Sequence, residues 1–248
     1  IGMLRQMFAL RYEPGLFDAI MAVDNDALNF ILAYRETLFP GVPVVFCGIN
    51  NFDNSMLAGH RGYTGVLDSV EYEATVRLAG ELRPSTRHIV VISDRTTTGL
   101  AHENAMRKVE PRLQNLVSIE YLSLGSLSMN ELLAKIRGLS DDTAVLLLSH
   151  VMDREGIIYT QSESMRLICS ASAAPVYTIS DFRVGAGAVG GKVISGINQG
   201  QTAARMLIRV LRGESPESMP IETYNSNQFL FDHRQLTKWN IAELQLPP

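Results

Sequence analysis

The chain has 248 residues, of which 46% are hydrophobic and 19% charged, and its net charge at neutral pH is −4. This length suffices for one large or two modest domains, and the lack of a basic run argues against a nucleic-acid partner, because phosphate binding needs clustered Lys and Arg. No apolar run approaches the roughly 18 residues of a membrane span. The two cysteines, Cys47 and Cys169, are expected to be buried free thiols.

Short apolar runs alternate with helix-like segments along the whole chain. The first segment, Met3–Tyr12, has helical spacing and ends at Pro14-Gly15. The predicted strands that follow are Phe17–Val23, Val42–Cys47, Tyr63–Val66, Arg87–Ile92, Val117–Leu122, Ala144–Leu148, Val176–Ile179, Lys192–Ser195 and Gln228–Phe231. The predicted helices are Ala27–Leu38, Glu71–Leu82, His102–Val109, Met129–Arg137, Ser162–Ala173, Gln201–Leu211 and Arg234–Trp239. This alternation predicts an α/β protein with parallel sheets and right-handed crossovers.

The start of the pattern is unusual for a parallel sheet. Such a sheet normally begins with a strand, whereas this chain begins with a helix. We therefore expect a first strand and part of a helix to lie upstream of Ile1, or to be supplied differently.

Polar residues follow several of the predicted strands directly. Ligands of open parallel sheets bind outside the carboxyl ends of the strands, so these residues are candidates for a small-molecule site. They are Asp24, Asn25, Asn50, Asn51, Asp94, Arg95, Thr96, Thr97, Thr98, His150 and Asp181. Helix capping at Asp24 or Asn25, a turn at the two asparagines, and a structural hydrogen bond at His150 are the competing interpretations.

Two of these segments indicate a particular ligand chemistry. Asp94–Gly99 combines Thr hydroxyls, Arg95 and the start of a helix, which suits a carboxylate or another anion. Asp181 with Phe182 beside it suits an amine and an apolar ring. A capped helix start in the first case, and packing of Phe182 under its loop in the second, remain the alternatives.

Enzymatic signatures are weak. Gly185–Gly190 matches G-x-G-x-x-G, but extended sequence follows it where a dinucleotide site needs a helix, so we interpret it as a glycine-rich loop. No metal-ligand spacing and no nucleophile elbow occur. We therefore predict a protein without catalytic activity, cofactor or metal.

Several stretches together resemble a known family, the type I periplasmic-binding-protein folds of the ABC-transporter substrate-binding group. The similar stretches are Phe17–Ala27, Leu38–Asn50, Tyr63–Val66, Gly190-Gly191, Gly200–Gly213, Asp232 and Leu236–Ile241. Within this group, Pro40–Gly48 is most similar to the extracytoplasmic sensor domains of bacterial histidine kinases.

The resemblance implies two lobes, each a parallel β-sheet flanked by helices, with three crossings between them. One lobe would contain residues 1–68 and 190–223, and the other residues 69–189 and 224–248, with the candidate residues facing a ligand between them. Gly190 and Gly191 would lie beside the hinge.

The resemblance also implies a function. The chain would be an extracytoplasmic domain that binds a small polar ligand such as an amino acid, as the sensor of a membrane-attached kinase module tethered to the inner membrane. The alternative is the free substrate-binding component that delivers its solute to an ABC permease. A nucleotide-dependent enzyme and the effector domain of a transcription regulator are more distant alternatives.

Overall fold

The computed structural model describes residues 2–13, 15–50, 52–223 and 227–247, and it divides the chain into two compact units. Unit 1 comprises Ile1–Ser69 and Gly196–Ser226, and unit 2 comprises Val70–Ser195 and Asn227–Pro248. The sequence places the second boundary before residue 190. In the structure residues 190–194 form a strand hydrogen-bonded within the sheet of unit 2, so they belong to that unit.

Strands and helices alternate as the sequence predicts, with shifts at their ends. The strands are β1 (Ile20–Val23), β2 (Val44–Ile49), β3 (Tyr63–Leu67), β4 (His88–Ser93), β5 (Ser118–Ser123), β6 (Thr143–Leu147), β7 (Val176–Thr178), β8 (Gly190–Ile194) and β9 (Asn227–Phe231). The helices are α1 (Gly2–Arg11), α2 (Asn25–Leu38), α3 (Tyr72–Leu82), α4 (Thr97–Val109), α5 (Met129–Arg137), α6 (Gln161–Ala171), α7 (Gly196–Leu211) and α8 (His233–Lys238).

Unit 1 is built on a parallel sheet of order β1-β2-β3. Because successive side chains of a strand point to opposite faces, the side chains of β2 pack into two hydrophobic cores. Val44 and Phe46 pack with Leu28 of α2, and Val45 packs with Met206 of α7. Helices therefore cover both faces, which explains why β2 reads as a continuous apolar run.

Unit 2 contains a six-stranded sheet of order β5-β4-β6-β7-β8-β9, in which only the β8–β9 pair is antiparallel. Strand β4, between β5 and β6, again divides its side chains between two cores, with Val91 on the α3 side and Val90 and Ile92 on the α5 and α6 side. The carboxyl ends of β4, β6 and β7 lie side by side at one edge of the parallel part.

Two helices begin more than a full turn earlier than their apolar spacing predicts. α4 begins at Thr97 rather than His102, because the Thr96 hydroxyl accepts a hydrogen bond from the Gly99 N–H at 3.0 Å and caps it. α7 begins at Gly196 rather than Gln201. The segment Gly185–Gly190 leads into β8 and opens no helix, as predicted. Among the described residues, no helix is long and apolar enough to cross a membrane.

Candidate functional site

Asp94 follows β4 and is completely buried. One carboxylate oxygen accepts hydrogen bonds from the N–H and the hydroxyl of Thr96, at 3.1 and 2.5 Å. The other accepts from the Ser149 hydroxyl at 2.9 Å and the Val151 N–H at 2.7 Å. Four donors occupy the acceptor positions of this carboxylate, so Asp94 joins the loop after β4 to the loop after β6.

The start of α4 is built around that carboxylate. A Cβ atom at Gly99 would lie 2.0 Å from an oxygen of Asp94, so this position requires glycine. Thr97 and Thr98 form the first turn, and both are exposed. The first turn of a helix offers free N–H groups and a partial positive charge, which together favour an anion.

Arg95 is exposed beside this helix start. Its aliphatic stem packs on the backbone of Gly125, where an added Cβ would lie 1.9 Å from the Arg95 Cγ. Among the described residues no carboxylate forms an ion pair with Arg95 within 4.0 Å. The guanidinium is therefore held by its stem while its charged end is available to an anionic group.

His150 follows β6 and has no exposed surface. Its Nδ1 lies 2.5 Å from the Ser164 hydroxyl. Burial, and then the charge of Arg183, lower the pKa of His150 to about 3, so the imidazole is neutral near pH 7. Its Nε2 is buried and has no hydrogen-bond partner among the residues that the structure describes.

Arg183 is a buried cation near the same strand end. Its Nη1 donates to the carbonyls of Leu147 and Leu148, at 3.0 and 2.9 Å. Burial lowers the pKa of Arg183 to about 10, and the Asp94 charge opposes this shift, so the guanidinium stays charged near pH 7. Its Nε is a second buried polar atom without a partner in the described part of the chain.

His102, on α4, completes this group. Its Nδ1 lies 2.7 Å from the Tyr72 hydroxyl. Burial lowers the pKa of His102 to about 4, with a further contribution from Arg183. We define the unit 2 polar cluster as Asp94, Arg95, Thr96, Thr97, Thr98, His102, His150 and Arg183.

Asp181 is half-buried and opens a short 3₁₀ turn that ends at Arg183. Phe182 between them is 59% exposed, so it does not pack under the loop, the structural alternative that the sequence left open. The Arg183 guanidinium carbon lies 5.3 Å from the centre of its ring. Asp181 and Phe182 thus stand next in the chain to the unit 2 polar cluster.

In unit 1, the side chain of Asn25 joins the ends of β1 and β2. Its Oδ1 accepts from the Asn50 N–H at 2.9 Å, and its Nδ2 donates to the Asn50 carbonyl at 3.0 Å. These two bonds satisfy the backbone N–H and C=O groups of Asn50. A turn at this position was the competing interpretation of the sequence. Asn51, the other predicted residue of this loop, lies outside the described residues.

Asp24 has a rare backbone conformation. Its φ of 77° and ψ of 159° lie in a region that is almost reserved for glycine. The side chain accepts a hydrogen bond from the Asn25 N–H at 2.6 Å, and its own N–H donates to the Cys47 carbonyl at 3.0 Å. Asp24 therefore caps α2, as one interpretation of the sequence held, in a strained geometry of the kind that concentrates at functional sites.

Two further polar side chains lie near Asp24. Gln199 accepts from the Gly48 N–H at 3.0 Å and donates to the Asp68 carboxylate. Burial raises the pKa of Asp68, the Gln199 hydrogen bond lowers it, and the nearby Asp24 charge raises it. We define the unit 1 polar cluster as Asp24, Asn25, Asn50, Asp68 and Gln199.

The structure thus collects the predicted residues that it describes into one cluster per unit, with Asp181 beside the second. Sequence reasoning missed Asp68, Gln199, His102, Arg183 and Ser149. Asp68 follows β3 directly, so the strand-end rule could have found it, and His102 lies one helical turn after Thr98. Gln199 carried no signal in the sequence, because it follows no predicted strand directly, and the structure places it in the first turns of α7. In the described part of the chain no group of three His, Cys, Asp or Glu side chains could hold a metal ion.

Three solved structures similar to this chain show the fold. The ABC domain from Streptococcus pneumoniae in complex with L-Trp is 16% identical with a TM-score of 0.63, over 97% of this chain and 80% of that one. The ligand-free, open CD0873 from Clostridium difficile, a substrate binding protein with adhesive properties, is 16% identical with a TM-score of 0.68, over 97% and 78%.

The third is an ABC transporter solute binding protein from Agrobacterium vitis with bound allitol, 13% identical with a TM-score of 0.53, over 96% of this chain and 82% of that one. These likenesses confirm the predicted type I periplasmic-binding-protein fold. No curated protein matches the chain.

The family comparison covers most of the sequence. The model of the ABC transporter substrate binding proteins, an extracytoplasmic family, matches residues 35–244. The matched range includes both sheets apart from β1, and it includes Asn50 and the whole unit 2 polar cluster. The chain therefore belongs to the ABC transporter substrate binding protein family.

Proposed function

We propose that this protein binds a small polar solute at the unit 2 polar cluster and delivers it to an ABC permease. The observation that carries the proposal is the unit 2 polar cluster, in which Arg95, Thr97 and Thr98 are exposed at a helix start that buried Asp94 fixes. Family membership supports transport over the kinase-sensor role that the sequence favoured.

The unit 2 polar cluster and the turn at Asp181 and Phe182 beside it have side chains for different parts of the solute. Arg95 and the first turn of α4 offer positive charge and N–H donors, which suit a carboxylate. Asp181 offers negative charge, and Phe182 offers an exposed ring, which suit an ammonium group and an apolar side chain. A zwitterion such as an amino acid combines these groups, and one of the similar structures holds L-Trp.

Buried members of the clusters have a different role in this proposal. Asp94, Asn25 and Asn50 already use their polar atoms in hydrogen bonds within their own units. We propose that they position the loops, and that Arg95, Thr97, Thr98 and Asp181 contact the solute.

A thermal-shift screen tests this function directly. We expect an amino acid or a related zwitterion to raise the unfolding midpoint, since a ligand at 100 times its Kd adds about 2.7 kcal/mol. Amines, small carboxylates, purines, sugars, NAD and ATP complete the panel. A response to NAD or ATP alone would revive the nucleotide-enzyme alternative and refute the solute proposal.

The transport and sensor roles differ in their partner. In the transport proposal the solute-loaded protein stimulates ATP hydrolysis by its permease complex reconstituted in vesicles, and the solute-free protein does so less. A solute that instead alters autophosphorylation of a kinase carrying this domain would support the sensor prediction, which rests on the resemblance of Pro40–Gly48.

A further inference from the structure

Exposed apolar side chains of unit 2 concentrate at the carboxyl ends of its parallel strands. In the described part of this unit, six large apolar side chains are exposed. Four of them lie in the segments that follow β4, β6 and β7, namely Leu100, Ile157, Ile158 and Phe182, and the other two are Leu116 and Leu244. Exposed apolar side chains that occur together mark binding surfaces, whereas single ones need no explanation. The four side chains therefore form a candidate binding surface at the edge of the sheet that carries the unit 2 polar cluster.

The two isoleucines belong to the loop that follows β6. We define residues 151–159 as the isoleucine loop. It starts from the unit 2 polar cluster, because the Val151 N–H donates to the Asp94 carboxylate at 2.7 Å. It also returns to that point, because the Tyr159 N–H donates to the Val151 carbonyl at 2.8 Å. Both isoleucines therefore lie within a few residues of the groups that fix the start of α4.

A buried carboxylate holds the isoleucine loop in one conformation. One oxygen of Asp153 accepts hydrogen bonds from the N–H groups of Glu155 and Ile157, at 3.0 and 3.1 Å. The other accepts from the Met129 N–H at 3.2 Å and the Tyr159 hydroxyl at 3.1 Å. These four donors fix the loop, while its two isoleucine side chains stay outside, 47% and 73% exposed. The loop is thus preorganised to present apolar surface.

Leu100 and Phe182 add apolar surface on either side of the isoleucine loop. Strand β6 lies between β4 and β7 in the sheet, so the segments that follow β4 and β7 flank the loop that follows β6. Leu100 lies on α4, and its N–H donates to the carbonyl of the cap residue Thr96 at 2.9 Å. The polar start of α4 is therefore bordered by apolar side chains from three neighbouring strand ends.

This arrangement has the composition of a small-molecule site, in which a few polar groups fix one end of the ligand and apolar side chains cover the rest. Arg95 and the first turn of α4 supply the polar groups. A solute with a carboxylate at one end and an apolar side chain at the other would satisfy both parts. A uniformly polar solute would leave the apolar side chains uncovered.

We infer that the isoleucine loop determines specificity: it contacts the apolar part of the solute and selects zwitterions with a large apolar side chain over those with a small one. Ile157 and Ile158 make these contacts, and Asp153 positions them. The inference rests on the proposed function, in which Arg95 and the start of α4 bind the carboxylate of the same solute.

Isothermal titration of alanine, leucine and phenylalanine tests the inference, because the three share one zwitterionic end and differ in their side chain. We expect the wild type to bind leucine and phenylalanine about tenfold more tightly than alanine, since affinity rises with the apolar surface removed from water. In the double variant Ile157→Ser/Ile158→Ser this ratio should fall about fivefold. Leu116→Ser is the matched control and should keep the wild-type ratio, because Leu116 is 48% exposed but precedes β5, at the amino end of a strand.

Circular dichroism verifies that both variants fold. A double variant with the wild-type ratio would overturn the inference. If that variant also stimulates ATP hydrolysis by the permease complex less than the wild type does, a protein is the occupant of the loop. A wild type that binds alanine as tightly as leucine would overturn the inference and leave the proposed function intact. Absence of binding by all three zwitterions would refute the amino-acid form of the proposed function, and the inference with it.

Discussion

At the residue scale, the unit 2 polar cluster is an arrangement of buried groups that depend on one another. Asp94 and Arg183 carry opposite charges in a buried environment, while His102 and His150 remain neutral because burial lowers their pKa values. Burying a charge costs free energy unless partners satisfy it, and here four donors satisfy Asp94. Substitution of a buried residue in this cluster is therefore expected to destabilise the protein.

Replacing Asp94 tests this dependence. Asp94→Asn keeps the shape of the side chain but replaces one acceptor oxygen by an NH₂ donor that faces existing donors. We therefore expect the free energy of unfolding to fall by about 2–3 kcal/mol. Ser149→Ala removes only one of the four hydrogen bonds and should cost about 1 kcal/mol. Urea denaturation measures both values. Equal stability of Asp94→Asn and wild type would show that the carboxylate is not essential to the loops.

The two buried histidines predict a dependence of stability on pH. Their folded pKa values, about 4 and about 3, lie below the ordinary 6.5, so the unfolded chain binds more protons in this range. Their contribution to the free energy of unfolding is present above pH 6.5 and is lost as the pH falls toward 4 for His102 and toward 3 for His150. Between pH 7.5 and pH 5, we expect each histidine to lower the free energy of unfolding by up to about 2 kcal/mol. Urea denaturation across that pH range measures this decrease.

Variants separate this effect from general acid sensitivity. His150→Gln should reduce the slope of stability against pH between 7 and 5, although it lowers stability overall. His233→Gln, at a side chain that is 77% exposed, is the control for removing an imidazole that is not buried. If His150→Gln has the wild-type slope, the imidazole is not buried in the neutral form.

At the element scale, the start of α4 links the fold to the site. Thr96 caps the helix, Gly99 allows the Asp94 carboxylate to lie against it, and Gly125 does the same for the stem of Arg95. Neither glycine is needed for a positive φ, and both are needed for close approach. The element thus depends on contacts between segments distant in sequence.

Two glycine-to-alanine variants test that dependence. Gly99→Ala should destabilise the protein by about 1–3 kcal/mol, because its Cβ would overlap Asp94. Gly80→Ala is the matched control, since Gly80 sits in α3 with no atom within 4 Å of an added Cβ. It should stabilise by about 0.5–1 kcal/mol. Thermal unfolding of both gives the comparison, and equal effects would contradict the close approach at Gly99.

Most helices and strands could be predicted from the sequence, because the spacing of apolar residues that identifies them can be recognised within each short segment. Met129–Arg137 has its predicted bounds, and the buried strands around Phe46 and Val91 differ by a few residues. The apolar period alone puts the start of α4 at His102, because polar residues fill its first turn. The Thr hydroxyls of Asp94–Gly99 indicated the earlier, capped start that the structure has at Thr96. The apolar spacing of β8 likewise identifies a strand but does not indicate which of the two sheets the strand joins.

At the scale of the whole molecule, the order of elements and the resemblance together predicted the family and the α/β fold. The strand-end rule also found most of the polar clusters, because the carboxyl ends of neighbouring parallel strands meet at one edge. It could not distinguish a residue that contacts a solute from one that holds a loop. Asp94 and Arg95 are adjacent in sequence, yet one is buried with four hydrogen bonds and the other is exposed.

In the proposed function, the exposed part of the unit 2 polar cluster binds the small solute. Isothermal titration of the solute identified by the screen into wild type, Arg95→Ala and Arg166→Ala tests it most directly, since Arg166 is an exposed arginine of the same unit on α6. We predict that Arg95→Ala weakens binding by about 1–3 kcal/mol, roughly 5- to 150-fold in Kd, and that Arg166→Ala binds as the wild type does. Wild-type affinity in a folded Arg95→Ala protein would contradict the claim.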